Sequence, residues 1–319
     1  MSDTNIRPTA RQPEKANSNL TSQIMFPIFA LTRPRTLPLA VATVISAHAL
    51  AYQQNHFNWH TFALSLLTVL LLQITSNIAN DYGDGIRGTD THRAAHAPKR
   101  YSVASAQNAH AVKRYLIIAV IASIISGIAL LSSSLKTTHD WFIFLLLGAT
   151  ALIAALAYTI GRYAYGYYAL GEVAVFLTFG WLGTLGNYYL QTHSYHPSLL
   201  LPATGSGLLA AAVLHINNIR DRQSDLIAGK RTLANYCSFS GSLRLQKIFL
   251  LTAFACYALY GFIAWQSALS LASLPLVWRH ICRLNHANNE AQAGQELAAV
   301  VKIHFCANSL FAVGLILFS

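Results

Sequence analysis

Acidic residues are scarce in this 319-residue chain: 11 Asp and Glu stand against 22 Lys and Arg, and charged residues of both signs make up only 10 % of the sequence. With 54 % of its residues hydrophobic, a chain so poor in charge does not fit the pair of soluble domains that its length alone suggests. Its four cysteines, Cys237, Cys256, Cys282 and Cys306, lie far apart with no pair at metal-ligand or redox spacing, which leaves them as packing residues. No tandem repeat points to a solenoid. The basic residues form no stripe or finger interleaved with aromatic platforms, so a nucleic-acid partner is excluded despite the formal charge of +11. The first 23 or so residues lack the apolar core of a cleaved signal peptide. Rich in Asn, Ser, Thr and Gln, residues 1–23 are expected to form a mobile cytoplasmic tail, with 24–319 as one transmembrane domain.

What the chain does have is long apolar runs. A spanning helix needs about 20 apolar residues, each rising about 1.5 Å through a hydrocarbon slab roughly 30 Å thick. Nine segments are expected to span, near residues 37–52, 61–80, 115–134, 141–160, 170–190, 198–217, 248–266, 268–284 and 303–318. The fold expected is therefore all-α, a polytopic bundle in a lipid bilayer. On this map 21 of the 22 Lys and Arg residues fall in alternate connections or, for Arg279 and Arg283, in the end of the eighth segment that leads into one, with Lys136 the exception. Cytoplasmic loops retain Lys and Arg, so the N-terminus is expected inside and the C-terminus outside a bacterial cytoplasmic membrane.

Five of the few acids cluster at two places. Asp81, Asp84 and Asp90 follow the second span in "NIANDYGDGIRGTD" (77–90), and Asp221 and Asp225 follow the sixth in "HINNIRDRQSDLIAGKRTLA" (215–234). By the map both clusters face the same compartment. Asn77, Asn80 or Asp81, and Asp84 share a helical face at spacings of three, four and seven, and Asn217, Asp221 and Asp225 share another. Like charges so placed repel unless a cation lies between them. Oxygen donors without Cys or His suit a hard ion such as Mg²⁺, usually held by one or two carboxylates together with substrate phosphate. Arg87, Arg162, Arg220, Lys230 and Arg231 stand nearby, and such cations suit phosphate oxygens. Ionisation of an allylic diphosphate matches this arrangement: cations stabilise the departing pyrophosphate and an apolar cavity shields the carbocation from water. A divalent-cation channel or carrier is the reading from another class. It would place ligands along the whole pathway, whereas the opposite half of the membrane offers only Asp140.

The chain resembles the intramembrane prenyltransferases of the UbiA superfamily, with nine transmembrane helices and the motifs N-x-x-x-D-x-x-x-D and D-x-x-x-D. Asn80 and Asp84 match the first motif, whose last acid would fall on Gly88, and Asp221 and Asp225 match the second. One branch has its last acid displaced: the 1,4-dihydroxy-2-naphthoate polyprenyltransferases of menaquinone synthesis. "NDYGDGIRGTD" (80–90), with Asp90 as the later acid, is similar to that branch, as are "RPRTLPLA" (33–40), "AYTIGRYAYGYYALGE" (157–172) and "FGWLGTLGNYYLQT" (179–192). The resemblance implies Mg²⁺ and a polyprenyl diphosphate at the two motifs, a prenyl cavity in the bundle, and transfer to an aromatic acceptor with loss of its carboxylate, giving demethylmenaquinone. 4-Hydroxybenzoate, homogentisate and haem prenyl transfer are the competing reactions.

Roles are assigned on this basis. Asp84 and Asp225 are the expected principal metal contacts, with Asn80, Asp81, Asp90 and Asp221 completing the ion and water shells. Asn77 is either a supporting residue or a polar helix end. Arg87, Arg220, Lys230 and Arg231 are the diphosphate candidates, with Asn217 beside them. Tyr158 and Arg162 have the spacing of the superfamily's Tyr-x-x-x-Lys element. Arg33 and Arg35 reach the site from the first helix or merely anchor it. Glu172 is costly inside a span unless paired, so it either neighbours the Arg cluster or holds the aromatic acceptor. His215 is a base or, the reading favoured, a satisfied buried imidazole. "YAYGYY" (163–168) either caps an aromatic cavity or packs at the interface.

Overall fold

A computed structural model describes residues 29–88 and 106–318. The expected tail 1–23 lies outside the described residues, as does Asp90. The architecture is helical throughout, and among the described residues the strand-like pairing is a single parallel bridge between Tyr168 and Arg231. Helices α1 (Pro38–Gln53), α2 (Trp59–Ile86), α3 (Ala106–Ser134) and α4 (Thr138–Ala157) come first. Next, α5 runs as an α-helical turn Gly171–Val175, a π-helical stretch Phe176–Gly186 and a last α-helical piece Asn187–Thr192. Helices α6 (Leu200–Arg220), α7 (Phe239–Gly261), α8 (Leu274–Asn285, entered through the 3₁₀ turns Trp265–Ser273) and α9 (Leu297–Leu317) complete the bundle.

Six helices among the described residues are long and apolar enough to cross a membrane: Trp59–Ile86, Asn108–Ser134, Thr138–Ala157, Pro197–Arg220, Phe239–Gly261 and Glu290–Leu317. The other three expected spans hold helical segments of a different kind. α1 has only 16 residues, α5 changes its winding, and α8 has 12 residues behind a 3₁₀ entry.

Local sequence sets the helix ends. Asn58 caps α2 by accepting from the His60 and Thr61 amides (2.8 and 3.2 Å), and Thr137 caps α4 through the Asp140 amide (3.1 Å). Pro38 opens α1 where its missing N–H costs nothing. The core lies between α1, α6, α7 and α9, around Leu50, Ile216, Leu250, Tyr257 and Phe311. α2 and α3 are joined by hydroxyl pairs, Thr68 with Ser126 (2.7 Å) and Thr75 with Ser123 (3.0 Å), small polar contacts suited to helices in lipid. α4 has no buried residue in its apolar stretch and faces outward with Phe142, Leu146 and Ile153 exposed. The two ends of the bundle differ in chemistry. One is closed by neutral contacts such as Asn58 with Gln191 and Gln53 with Gln266, and the other gathers the ion pairs between Arg33, Asp81, Asp84, Asp225 and Lys230.

Candidate active site

α2 carries the first acid cluster beyond the apolar run because its 28 residues rise about 42 Å, well past the hydrocarbon slab. α6 ends at Arg220, and a short helix Arg222–Ile227 then brings Asp225 back beside α2. The two motifs meet at Lys230. Its ammonium stands 3.7 Å from Asp84 Oδ2 and 3.8 Å from Asp225 Oδ1, and all three side chains are buried. Such charges tolerate burial only because they offset one another.

Aromatic rings frame this centre. The buried Tyr167 donates its hydroxyl to Asp84 Oδ1 (3.1 Å). Arg87 lies over the same ring, 4.3 Å from its centroid, and donates to the Gly161 carbonyl. Lys230 Nζ is 5.8 Å from the Tyr158 and Tyr167 ring centroids. The Tyr167 segment is held by main-chain bonds to the Lys230–Arg231 turn: Ala169 N–H to Arg231 O (2.8 Å) and Arg231 N–H to Tyr167 O (3.3 Å). Tyr165 donates to the Ala154 carbonyl (2.8 Å), and burial pushes its phenol up to about 12, so it stays a neutral donor. Gly83 allows α2 to touch this segment, since a Cβ there would lie 2.5 Å from Thr159 Oγ1.

The remaining acids of the clusters are held by arginines. Asp221 receives a two-point contact from Arg220 (both 2.7 Å), which also donates to Asn217 Oδ1 (2.8 Å). Asp81 pairs with Arg33, which reaches the site from the segment before α1 and not from the helix itself. Asn77 donates to the Thr32 carbonyl (2.9 Å), tying the same approach segment to α2.

Beside the charged centre opens a cavity of about 540 Å³. Arg33, Asn77, Asn80, Tyr158 and Asn217 line its polar end, and Leu72, Leu131, Phe144, Leu152, Phe179 and Leu182 are among its apolar walls. The cavity is thus polar at the end beside the charged centre and apolar along the rest.

The UbiA prenyltransferase family profile matches residues 40–304. The 1,4-dihydroxy-2-naphthoate octaprenyltransferase of Haemophilus influenzae is 40 % identical over 290 residues, 89 % of this chain and 94 % of that protein. The protein of the same name from Escherichia coli is 39 % identical over 288 residues, 89 % of this chain and 93 % of its own. The chain belongs to the UbiA prenyltransferase family. A UbiA homologue from Archaeoglobus fulgidus, solved bound to DMAPP and Mg²⁺, shares the fold at a TM-score of 0.58 and 14 % identity, covering 89 % of this chain and 99 % of that one.

Within the family pattern, the glycine in place of the last acid of the first motif has a local cause. α2 stops at Ile86, and Gly88 just beyond it has φ +71°, a left-handed conformation that suits a residue without Cβ. An acid on the same helical face is therefore no longer available at 88.

Several expected neighbours stand elsewhere. Arg162 is exposed, 5.6 Å over the Tyr163 ring, because the chain leaves α4 before reaching it; Lys230 supplies the cation beside Tyr158 instead. Arg35 and Arg231 have exposed side chains, and Arg231 contributes through its backbone. Glu172 is buried away from the arginines. Its Oε1 accepts from Asn218 Nδ2 (3.0 Å) and pairs with His215 Nδ1 (3.1 Å), while His215 Nε2 meets the Ser242 carbonyl (3.2 Å). His215 is thus the satisfied imidazole, and Glu172 locks α5 to α6. Sequence reasoning missed Tyr167 as an individual residue; "YAYGYY" marked the segment without separating the ring that meets Asp84 from the exposed Tyr163 and Tyr168.

Among the described residues no group of three or more His, Cys, Asp and Glu side chains is close enough to hold a metal. The pair Asp84 and Asp225 nevertheless fits a positive ion, since both carboxylates already face one cation, and their all-oxygen chemistry suits a hard one.

Proposed function

We propose that the chain transfers a polyprenyl group from its allylic diphosphate to 1,4-dihydroxy-2-naphthoate in menaquinone biosynthesis, with loss of the ring carboxylate as CO₂. The observation that carries this reading is the meeting of Asp84 and Asp225 at Lys230 beside an apolar cavity. The naphthoate acceptor rests on the 40 % identity to octaprenyltransferases that bear that name. In this reaction the allylic C–O bond breaks and its electron pair leaves with the diphosphate. A C–C bond forms at the ring carbon bearing the carboxylate, and departure of CO₂ returns its bonding pair to the ring.

Asp84 and Asp225 would hold Mg²⁺, supported by Asn80 and Asp221, with Asp90 the displaced acid of the first motif. Bound Mg²⁺ supplies a Lewis acid for the charge that develops on the departing diphosphate. Lys230 and Arg87 bind the same oxygens, Lys as a point charge and Arg through its planar fork, while Arg220, its fork already on Asp221, adds positive charge beside them. Asp81 and Asn77 hold the Arg33 approach segment against α2, and Tyr167 orients Asp84. The walls around Leu72, Leu131 and Phe144 take the prenyl tail and keep water from the cation. The distribution of Lys and Arg supports an active site open to the cytoplasm of a bacterial inner membrane, the N-terminus inside and the C-terminus opposite.

The test is a side-by-side acceptor assay on purified protein with Mg²⁺ and farnesyl diphosphate. Faster product formation from dihydroxynaphthoate than from 4-hydroxybenzoate or homogentisate is expected. Preference for 4-hydroxybenzoate would overturn the acceptor assignment.

A further inference from the structure

A second, smaller cavity of about 350 Å³ lies between α8 and α9, apart from the site above. Its walls carry Arg279 and Arg283 from α8 and Lys302 from α9, with His280 and Glu296 between them. Arg279 and Arg283 are four residues apart and share a helical face, and Lys302 adds a third positive charge from the facing helix. Glu296 is the one acid in the lining. It is already engaged, accepting from Arg283 Nη1 (3.1 Å) and pairing with His280 Nδ1 (3.0 Å). The other ring nitrogen of His280, Nε2, is buried without a hydrogen-bond partner among the described residues. Three cations around one committed carboxylate leave an excess of positive charge and donors in a cavity, in a protein with few acids to spare.

The setting of this cavity points to lipid. Ala298 and Ala299 leave the space open on the α9 side. Around it the surface is apolar and outward-facing: Trp278 is 69 % exposed, Leu274 40 % and Phe305 38 %. An exposed Trp beside basic residues is the usual signature of a membrane–water interface. The cavity is also at the same end of the bundle as the acid motifs. Glu290, which precedes α9, pairs with Arg222, and the backbone at Gly294 packs against the Arg220 side chain that holds Asp221.

We propose that the α8–α9 cavity binds the phosphodiester headgroup of an anionic phospholipid from the surrounding leaflet. Arg279, Arg283 and Lys302 contact the phosphate oxygens, His280 Nε2, an acceptor while Nδ1 donates to Glu296, receives a headgroup hydroxyl, and the acyl chains lie along the exposed face of Trp278 and Phe305. Basic pockets between helices at the cytoplasmic side of a membrane are suited to such headgroups.

The experiment is native mass spectrometry of the full-length protein, delipidated and then titrated with phosphatidylglycerol, with phosphatidylcholine, or with inorganic phosphate. The proposal predicts a phosphatidylglycerol adduct that phosphatidylcholine and phosphate do not reproduce. Arg279→Gln combined with Lys302→Gln, which leaves the Arg283–Glu296 pair intact, should weaken that adduct roughly tenfold. The charge-matched control, Lys113→Gln with Arg114→Gln on the exposed start of α3, should leave it unchanged. Equal loss in the control would make the binding non-specific and overturn the proposal, as would equal stabilisation by free phosphate or an undiminished adduct in the Arg279/Lys302 variant. A matched thermal-melting measurement without lipid shows whether the variant is folded; if it melts early, Arg279→Lys with Lys302→Arg, which keep the charge, must restore binding.

Discussion

At the scale of single residues, the charges at the centre are few and each has a definite partner. Asp84 and Asp225 face Lys230, Asp81 faces Arg33, and Asp221 faces Arg220. Asp84→Ala and Asp225→Ala should each lower turnover by about 100-fold or more, the usual effect of removing a preorganised electrostatic group. A normal melting temperature in detergent should accompany the loss; near-normal turnover in either variant would contradict a two-motif site. A contrast between two cations separates placement from mere positive charge. Lys230→Gln should cost about 100-fold in turnover, whereas Arg162→Gln, exposed on Tyr163, should stay within about threefold. Comparable losses in a steady-state assay would put Arg162 back in the site.

At the scale of helices, much was legible in the sequence because apolar length, caps and i, i+4 spacing are local properties. The extension of α2 past the membrane boundary and the acids at its end follow from residues 59–86 alone. The partner of each acid is not local. Arg33 reaches Asp81 because the chain before α1 folds against α2, and Glu172 turns to His215 because α5 packs on α6; neither contact has a sequence spacing to betray it. Tyr158 and Arg162 look paired at four residues' separation, yet the helix ends at Ala157 and the register is lost. Gly88 shows the same point in reverse, since a departure from the family motif marks a helix stop. Gly88→Asp should therefore not raise activity, and it should destabilise the protein by about 1 kcal/mol through the left-handed backbone. A rise in melting temperature together with higher turnover would contradict this.

At the scale of the whole molecule, the bundle is asymmetric, with charge gathered at one end and a cavity running from it between apolar helices. Gly148 on α4 lines that cavity, and a Cβ there meets nothing within 4 Å. Gly148→Phe should direct a ring into this open space, sparing turnover of a short allylic diphosphate and reducing that of a long one about tenfold or more in paired kcat/KM measurements. An equal effect on both donors would mean that the tail lies elsewhere. The central claim is that the two acid motifs and this cavity form one prenyl-transfer site. It is tested most directly by incubating the purified protein with Mg²⁺, farnesyl diphosphate and carboxyl-labelled dihydroxynaphthoate, and counting pyrophosphate, labelled CO₂ and prenylated naphthoquinol together. The account predicts the three in equal amounts and none without Mg²⁺; pyrophosphate release without prenylated product, or no turnover at all, would contradict it.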